Sequence, residues 1–243
     1  MDRALFEHMA ENADRHWWYV ARRAVLAALI RRRIAPPSGA RILEVGCGTG
    51  HNLAMLAGFG TVAGTELDDQ ARAFARDRLN ADVAEARLPA LDGVAEAAFD
   101  LVAALDVIEH VADDVGSLAS LARRLRPGGR LLVTVPAYPW LWSAHDVANH
   151  HLRRYTARSL RNAAGEAGLR VEHLGYFNML LLPLVIAARI AGKVTGKDSS
   201  DDAMPSPAVN RALKGVFALE RYWIGRLSMP AGVSLVAVLT PAR

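Results

Sequence analysis

The chain has 243 residues, of which 52% are hydrophobic and 22% charged, and it contains no low-complexity tract. This composition is typical of a folded globular protein and excludes intrinsic disorder of the whole chain. The single cysteine, Cys47, excludes an intrachain disulfide and cysteine-rich zinc sites, and it indicates a reducing, cytoplasmic location. The net charge of +4 comes from dispersed basic residues, so we expect no nucleic acid partner.

Residues 1–35 are predicted to form two helices with a break near residues 12–15, and they contain no apolar run of signal-peptide length. The aromatic cluster Trp17-Trp18-Tyr19 begins the second helix. Because neighbouring helical residues point about 100° apart, both tryptophans cannot face the same core. We therefore predict a helical lid in which Trp18 meets the ligand cleft; ordinary packing of the lid on the main domain is the alternative.

Residues 41–51 read RILEVGCGTGH, which predicts a strand, a glycine turn and the start of a helix. Glycine at positions 46, 48 and 50 permits positive φ and close approach of a ligand, and the helix start offers free N–H groups. Glu66 ends the next predicted strand, about 20 residues beyond the first glycine, where a carboxylate can bind the two hydroxyls of a ribose. The dinucleotide fingerprint needs a glycine where His51 stands, so a nicotinamide-dependent oxidoreductase is disfavoured.

Seven strands separated by helices predict an α/β fold with a doubly wound, Rossmann-like sheet. The strands are expected at residues 41–45, 61–65, 82–86, 99–104, 130–135, 171–176 and 234–240, and the helices include 69–79 and 115–125. Ligands of such sheets bind beyond the carboxyl ends of the strands. That rule places five residues along one rim: Gly46, Glu66, Glu85, Asp106 and Pro136.

Glu44 followed by Gly-x-Gly-x-Gly resembles motif I of the class I S-adenosylmethionine-dependent methyltransferases. Further matches to that family follow in order: Leu88-Pro89, Phe99-Asp100-Leu101-Val102, residues 106–111 and Leu125-Arg126-Pro127-Gly128-Gly129. The resemblance covers residues 41–136. It implies S-adenosylmethionine as cofactor, S-adenosylhomocysteine as product, and a mostly parallel sheet whose last strand is antiparallel.

The resemblance also implies which residues hold the cofactor. They are Glu44, Gly46, Cys47, Gly48, Gly50, Glu66, Leu67, Glu85 and Asp106. Many relatives place an acid four residues before the Leu-Pro pair, where it binds the adenine amino group. This chain has Ala84 at that position, and the neighbouring Glu85 is expected to take over the contact.

The segment 136–156 is richer in aromatic residues and histidines than a simple connector needs to be. Together with His16-Trp17-Trp18 and Arg153-Arg154-Tyr155, it resembles a bacterial, type 11/12-like group of methyltransferases whose acceptors are mostly unassigned. That resemblance implies an acceptor pocket, to which we add Trp18 and Trp142. The residues implied by the resemblance are His145, Asp146, His151, Arg154 and Tyr155.

Imidazole titrates near neutral pH, so His145 or His151 is the predicted general base, oriented by Asp146 or Glu109. A carboxylate or an unprotonated amine as acceptor would need no base. His110 follows the fourth strand, and it is predicted either to face the methyl group or to make a structural bond to the backbone. The spacing of the histidines after the fifth strand matches no standard ligand pattern, so no metal site is predicted.

About fifty residues, 177–230, stand before the last predicted strand. The apolar run 179–188 is too short for a membrane span, which needs roughly 20 residues. A polar loop at 198–207 and a helix at 208–228 are predicted to follow. Four interpretations remain open: a lid over a hydrophobic acceptor, a peripheral membrane contact through 178–191, a homodimer interface, or a packed accessory helix pair.

These patterns predict a methyltransferase with a helical lid, 1–35, and a main domain, 36–243. The predicted reaction is O- or N-methylation of a small acceptor that is hydrophobic or linked to a lipid or glycan. The alternative is a catalytically silent protein that keeps the fold and binds the cofactor or a partner protein. The intact glycines of the turn, together with Glu66, argue against that alternative.

Overall fold

The computed structural model describes residues 10–79, 82–195 and 203–242, and seven strands form one sheet in the order β3-β2-β1-β4-β5-β7-β6. β7 runs antiparallel to both of its neighbours, and the remaining neighbouring pairs are parallel. The strands are β1 (Arg41–Val45), β2 (Thr61–Thr65), β3 (Asp82–Ala84), β4 (Phe99–Leu105), β5 (Leu125–Pro136), β6 (Leu169–Phe177) and β7 (Ser234–Pro241). This sheet confirms the predicted Rossmann-like α/β fold with an antiparallel last strand.

Helices cover both faces of the sheet. They are α1 (Trp17–Leu29, continued by a π-helical turn Ile30–Ile34), α2 (His51–Leu56), α3 (Asp69–Leu79), α4 (Asp114–Arg123), α5 (Ala144–Ala148), α6 (Ala157–Glu166), α7 (Leu182–Thr195) and α8 (Pro207–Ala218). Short 3₁₀ turns lie at Ile108–His110, Pro139–Leu141 and Leu219–Tyr222. Over the described residues, no helix has both the length and the apolar composition that a bilayer span requires.

Several predicted boundaries differ from the structure. β3 ends at Ala84, two residues early, because its partner β2 ends there in the ladder. β5 begins at Leu125, five residues early, because Leu125 already pairs with Phe99 of β4 before the register shifts. Pro136, predicted to lie on the rim, is still paired with Ser234 at the end of β5.

Alternate residues of β4 face the two sides of the sheet. Leu101 belongs to the same buried cluster as Val25 of α1 and Phe217 of α8, and Val102 belongs to the same buried cluster as Leu118 of α4. α1 is therefore part of the layer that covers the sheet. The first of the two predicted N-terminal helices lies outside the described residues except for positions 10–12, which are helical, and the predicted loop 198–207 is described only from residue 203.

The start of α1 is fastened to α8. Oδ1 of Asn210 accepts a hydrogen bond from the backbone N–H of Trp17 (N···O 2.7 Å), and Nδ2 of Asn210 donates to the carbonyl oxygen of Arg15 (2.9 Å). The rings of Trp17 and Phe217 also pack edge to face, with 6.1 Å between their centroids. The N-terminal segment and the insertion before β7 are thus joined directly to each other.

Gly50→Ala is expected to destabilise the protein more than Gly93→Ala does, by about 1–3 kcal/mol of unfolding free energy. Both glycines have positive φ, +81° and +77°, so each alanine pays a similar backbone cost of about 1–2 kcal/mol. A Cβ on Gly50 would lie 2.8 Å from Cα of Ala75 in α3, whereas a Cβ on Gly93 would meet no atom within 4 Å. Urea unfolding of the two variants measures the difference in unfolding free energy. Equal losses of unfolding free energy would show that α3 can shift away from the glycine turn at little cost.

Candidate active site

A cavity of about 950 Å³ opens at the carboxyl ends of β1, β2, β4 and β5. This volume is near the upper end for small-molecule pockets, which measure ~300–1,000 Å³, and it provides room for a cofactor together with an acceptor. Its walls are formed by α1 with the residues before it, the glycine turn, the segments that follow β2, β3, β4 and β5, and the insertion with the start of β7. The cavity lies at the rim where the sequence pattern predicts ligand binding.

Glu66 stands in the cavity wall at the end of β2, where three backbone N–H groups hold its carboxylate. Oε2 accepts from Gly48 (N···O 2.8 Å), and Oε1 accepts from Leu67 and Asp68 (2.7 and 3.0 Å). A carboxylate offers about four acceptor positions, so capacity remains for a ligand hydroxyl. Glu66 therefore both fixes the glycine turn and presents a charged acceptor to the cavity.

The glycine turn forms a part of the wall that is largely bare backbone. Gly46 and Gly48 have φ values of +68° and +54°. A Cβ on Gly46 would lie 2.8 Å from Cγ2 of Val107, which follows β4, so this close approach requires glycine. A bare turn beside a carboxylate fits S-adenosylmethionine, since its ribose hydroxyls and its amino-acid end are polar.

Six of the nine predicted cofactor residues line the cavity: Gly46, Cys47, Gly48, Glu66, Leu67 and Asp106. Glu44 and Gly50 lie behind the turn instead. Oε1 of Glu44 accepts a hydrogen bond from Nδ2 of Asn52 (3.0 Å), which does line the cavity, and burial raises the pKa of Glu44 to about 8. Both residues therefore support the wall without being part of it.

Glu85, predicted to bind the adenine amino group, is not among the residues that line the cavity. The side chain is 69% exposed, and its Oε2 lies 3.3 Å from Nη2 of Arg72 on α3. The chain leaves the sheet after Ala84, and the ion pair holds the carboxylate on the outer surface. Its predicted contact with the adenine ring would require the carboxylate to leave Arg72.

Asp106 is tied to α1 by an arginine that sequence reasoning missed. Its Oδ2 accepts from Nη2 of Arg22 (2.6 Å), and its Oδ1 accepts from Oγ1 of Thr134 (3.0 Å). The Arg22 side chain is buried, and its guanidinium lies 5.1 Å from the ring centroid of Trp18. The sequence did contain an indication that Arg22 is buried and paired. Arg22 shares the helical face of Val25, Leu26 and Leu29, and a charge on such a face needs a buried partner.

The structure brings the three predicted catalytic histidines together in the cavity wall. The ring centroids of His110 and His151 are 4.7 Å apart, and those of His145 and His151 are 6.2 Å apart. Burial, and then the neighbouring His151, lower the pKa of His110 to about 4. His110 is therefore a neutral ring near pH 7.

Asp146 is fully buried and holds two of these residues in place. Its Oδ1 lies 2.8 Å from Nδ1 of His151 and 2.7 Å from Nε of Arg154, and its Oδ2 accepts from the backbone N–H of Ser143 (2.9 Å). Burial opposes ionisation of this carboxyl, but the hydrogen bonds from His151 and Arg154 outweigh it and hold the pKa of Asp146 well below its ordinary value. Asp146, rather than Glu109, is the residue that orients a histidine.

Three predicted acceptor residues, Asp146, Tyr155 and Trp142, do not line the cavity, whereas Trp18 and Arg154 do. Oη of Tyr155 donates to Oδ2 of Asp114 (2.7 Å), and its backbone pairs with the end of β5. Trp142 is half-buried at the end of the Pro139–Leu141 turn. Tyr155 and Trp142 therefore lie outside the cavity lining.

Glu109 lies beside the histidines and is fully buried. Among the described residues, neither of its carboxylate oxygens has a hydrogen-bond partner. Burial, and then the nearby Asp106, raise the pKa of Glu109 well above its ordinary value. Its position is fixed through the backbone, since its carbonyl oxygen accepts from the N–H of Leu152 (2.8 Å).

The insertion supplies an apolar wall, none of whose residues was predicted individually from the sequence. Its side chains come from α7, from the residue before it and from α8: Leu181, Leu184, Val185, Ala188 and Leu213. The signal for this wall was the apolar run 179–188. That this run lines the same cavity as the histidines could not be read from the sequence, because the run and the histidine loop are far apart in the chain.

Residues 17–174 match the model of a protein family described as a methyltransferase domain. The chain belongs to the class I S-adenosylmethionine-dependent methyltransferases. It is 36% identical over 159 residues to the ubiquinone biosynthesis O-methyltransferase of Thiobacillus denitrificans, an alignment that covers 58% of this chain and 68% of that protein. It is 30% identical over 154 residues to the O-methyltransferase cnsE of Penicillium expansum, covering 57% and 55% of the two chains.

The fold of this methyltransferase is also similar to that of phosphoethanolamine N-methyltransferase 2 from Haemonchus contortus, solved with S-adenosylmethionine. The TM-score is 0.56 at 18% identity, with 90% of this chain and 52% of that chain covered. At this identity the likeness concerns the fold alone. This chain matches its first curated relatives over 55% to 68% of their own length.

Proposed function

We propose that the chain transfers a methyl group from S-adenosylmethionine to an oxygen or nitrogen atom of a small acceptor that is hydrophobic or linked to a lipid or glycan. The observation that supports this proposal is the continuity of one cavity. It joins the glycine turn and Glu66 to three histidines and to the apolar wall of the insertion. A lining that combines polar groups with an apolar wall suits an acceptor with a reactive head and an apolar tail.

The cofactor supplies a methyl group on a positively charged sulfur, which is a good leaving group. The chain must position the acceptor and, for a hydroxyl or ammonium acceptor, remove its proton. We assign that task to His145 or His151, which both line the cavity. Ionised Asp146 can only accept hydrogen bonds, so Nδ1 of His151 donates to it and Nε2 is the ring nitrogen left to act as the base.

Calorimetric titration with S-adenosylmethionine, S-adenosylhomocysteine and NAD tests the cofactor part of the proposal. We expect both sulfur compounds to bind and NAD not to bind. Transfer of an isotopically labelled methyl group to a panel of acceptors, paired by head group and differing in chain length, then tests the reaction. If neither sulfur compound binds, the catalytically silent alternative is favoured instead.

Val185→Asp is expected to lower kcat/KM for a long-chain acceptor by about 10–100-fold, because a carboxylate would be placed in the apolar wall. Ile190→Asp is the matched control, since Ile190 lies on the same helix but is 58% exposed and outside the cavity. It should leave kcat/KM within about twofold. Equal losses with short and long acceptors would contradict an apolar tail as the group that this wall binds.

The same helix supports peripheral contact of the segment 178–191 with a membrane surface. Leu180, Leu184 and Ile190 are large, apolar and exposed, a composition that favours burial in a lipid interface. Co-sedimentation with lipid vesicles should be weaker for Ile190→Asp than for the unmodified chain. Analytical ultracentrifugation tests the competing occupant of this face, a second copy of the chain, because only a homodimer would change its mass in the absence of lipid.

A further inference from the structure

We propose that Glu109, His110 and His151 bind a divalent transition-metal ion at the acceptor end of the cavity, and that the methylated atom is therefore an oxygen. This inference rests on the proposed methyl transfer, and it adds the group that binds the acceptor.

The three side chains have the donor atoms and the spacing of a metal site. One carboxylate oxygen and two imidazole nitrogens lie within 4.8 Å of one another. Two ligands of one ion, each bonded at ~2.1 Å, are at most about 4.2 Å apart, so small side-chain rotations close the site. Two histidines and one carboxylate with open positions are the donor set of many catalytic zinc and non-haem iron centres.

His151 already has the outer support that metal-binding histidines have. Such residues almost always donate their second ring N–H to a carboxylate or carbonyl, which fixes the ring. Nδ1 of His151 makes this contact with Oδ1 of Asp146 (2.8 Å), so Nε2 is left as the donor to a metal. Arg154 and Ser143 hold Asp146 in turn, so the ring is oriented before any ligand arrives.

The buried carboxylate of Glu109 supports the metal site in a second way. It is fully buried, and within the described ranges neither carboxylate oxygen has a hydrogen-bond partner. A buried carboxyl left without partners is costly, and structures seldom retain one without a function. An ion bound at the shared position would supply the missing partner.

A metal ion here would assign different roles to the three predicted catalytic histidines. His110 and His151 would be ligands, and His145, whose ring centroid is 6.2 Å from that of His151, would be the proton acceptor. A hydroxyl bound to a divalent ion has a lowered pKa. Its proton passes to a ring nitrogen of His145, and the oxygen lone pair forms the new C–O bond while the electron pair of the broken S–C bond stays on sulfur.

Titration of the full chain with Co²⁺ tests the site, after dialysis against a chelator, because Co²⁺ bound by nitrogen ligands absorbs visible light. We expect one Co²⁺ per chain. His110→Ala, His151→Ala and Glu109→Gln should each weaken Co²⁺ binding by at least about 10–100-fold. His150→Ala is the matched control, since His150 is exposed and directly precedes His151. Circular dichroism confirms that each variant is folded, and Glu109→Gln preserves the volume of the buried side chain.

Two results would overturn the metal site: no stoichiometric Co²⁺ binding by the unmodified chain, or binding that His150→Ala removes and the three ligand variants retain. Calorimetry with S-adenosylmethionine on the same samples separates this inference from the proposed function. Cofactor binding and methyl transfer without Co²⁺ binding would reject the metal site alone. Co²⁺ binding by a chain that does not bind S-adenosylmethionine would reject the proposed methyl transfer and leave the metal site standing.

Discussion

Glu66→Ala is expected to weaken the binding of S-adenosylmethionine by about 100-fold or more. A hydrogen bond to a charged group contributes ~1.5–3 kcal/mol, and each 1.4 kcal/mol is a factor of ten in affinity. Alanine would remove the carboxylate that faces the cavity, and it would also release the N–H of Gly48 that now donates to Oε2. The cofactor would therefore lose a polar partner and the fixed shape of the turn together. Calorimetric titration measures the change.

Glu85→Ala is the matched control for this experiment. It removes a carboxylate from the end of the neighbouring strand β3, but one that is exposed and paired with Arg72 outside the cavity. We expect its affinity for the cofactor to stay within about twofold of the unmodified chain. A large loss with Glu85→Ala and a small one with Glu66→Ala would reverse the assignment and restore Glu85 as the cofactor-binding acid.

Arg154→Met is expected to lower the free energy of unfolding by about 3–5 kcal/mol, because removal of one partner leaves a buried charge uncompensated. Nε of Arg154 lies 2.7 Å from Oδ1 of Asp146, and the two side chains are 4% and 0% exposed. Arg153→Met is the control one residue earlier. Its partner Asp114 is within 2.9 Å, but this pair is much more exposed, so the loss should be only about 0–1 kcal/mol. Urea unfolding at pH 7 measures both.

The contribution of the Asp146–Arg154 pair to the free energy of unfolding should decrease at low pH. The pKa of Asp146 is lowered in the folded state, so its ionised form stabilises the protein above the unfolded pKa of about 4, and that stabilisation is lost as the pH falls through the folded value. The difference between Arg154→Met and the unmodified chain should therefore shrink as the pH is lowered below about 4. If the difference in unfolding free energy between the two proteins stays constant down to pH 2–3, Arg154 stabilises the fold through packing instead of through its charge.

The parts of the site that local sequence specifies were predictable. The glycine turn and Glu66 each follow a strand whose bounds, Arg41–Val45 and Thr61–Thr65, agree with prediction, and a residue at a strand end is placed by the sheet itself. Contacts between distant segments were not predictable in this way. Arg22 and Asp106 are 84 positions apart, and only the packing of α1 on the sheet brings them together.

The helix predicted to continue to residue 228 shows the same limit. It ends at Ala218, because Glu220 is buried and its carboxylate accepts hydrogen bonds from the backbone N–H groups of Asn178, Met179 and Leu180. Those three N–H groups precede α7, about forty residues earlier in the chain. No local pattern near Glu220 indicates that partner, so the helix period alone favours a longer helix.

Asn210 couples two segments that border the cavity and are far apart in the chain. This one side chain bonds the backbone at both Arg15 and Trp17, so an insertion without an asparagine at this position would lose its anchor on the N-terminal segment. Replacing the insertion as a block with one of that kind would thus loosen α1, and with it the hold of Arg22 on Asp106. Single substitutions along the cavity side of α7 carry no such penalty. Under the proposed function, the acceptor specificity of such an enzyme could therefore change there one position at a time, without loosening α1.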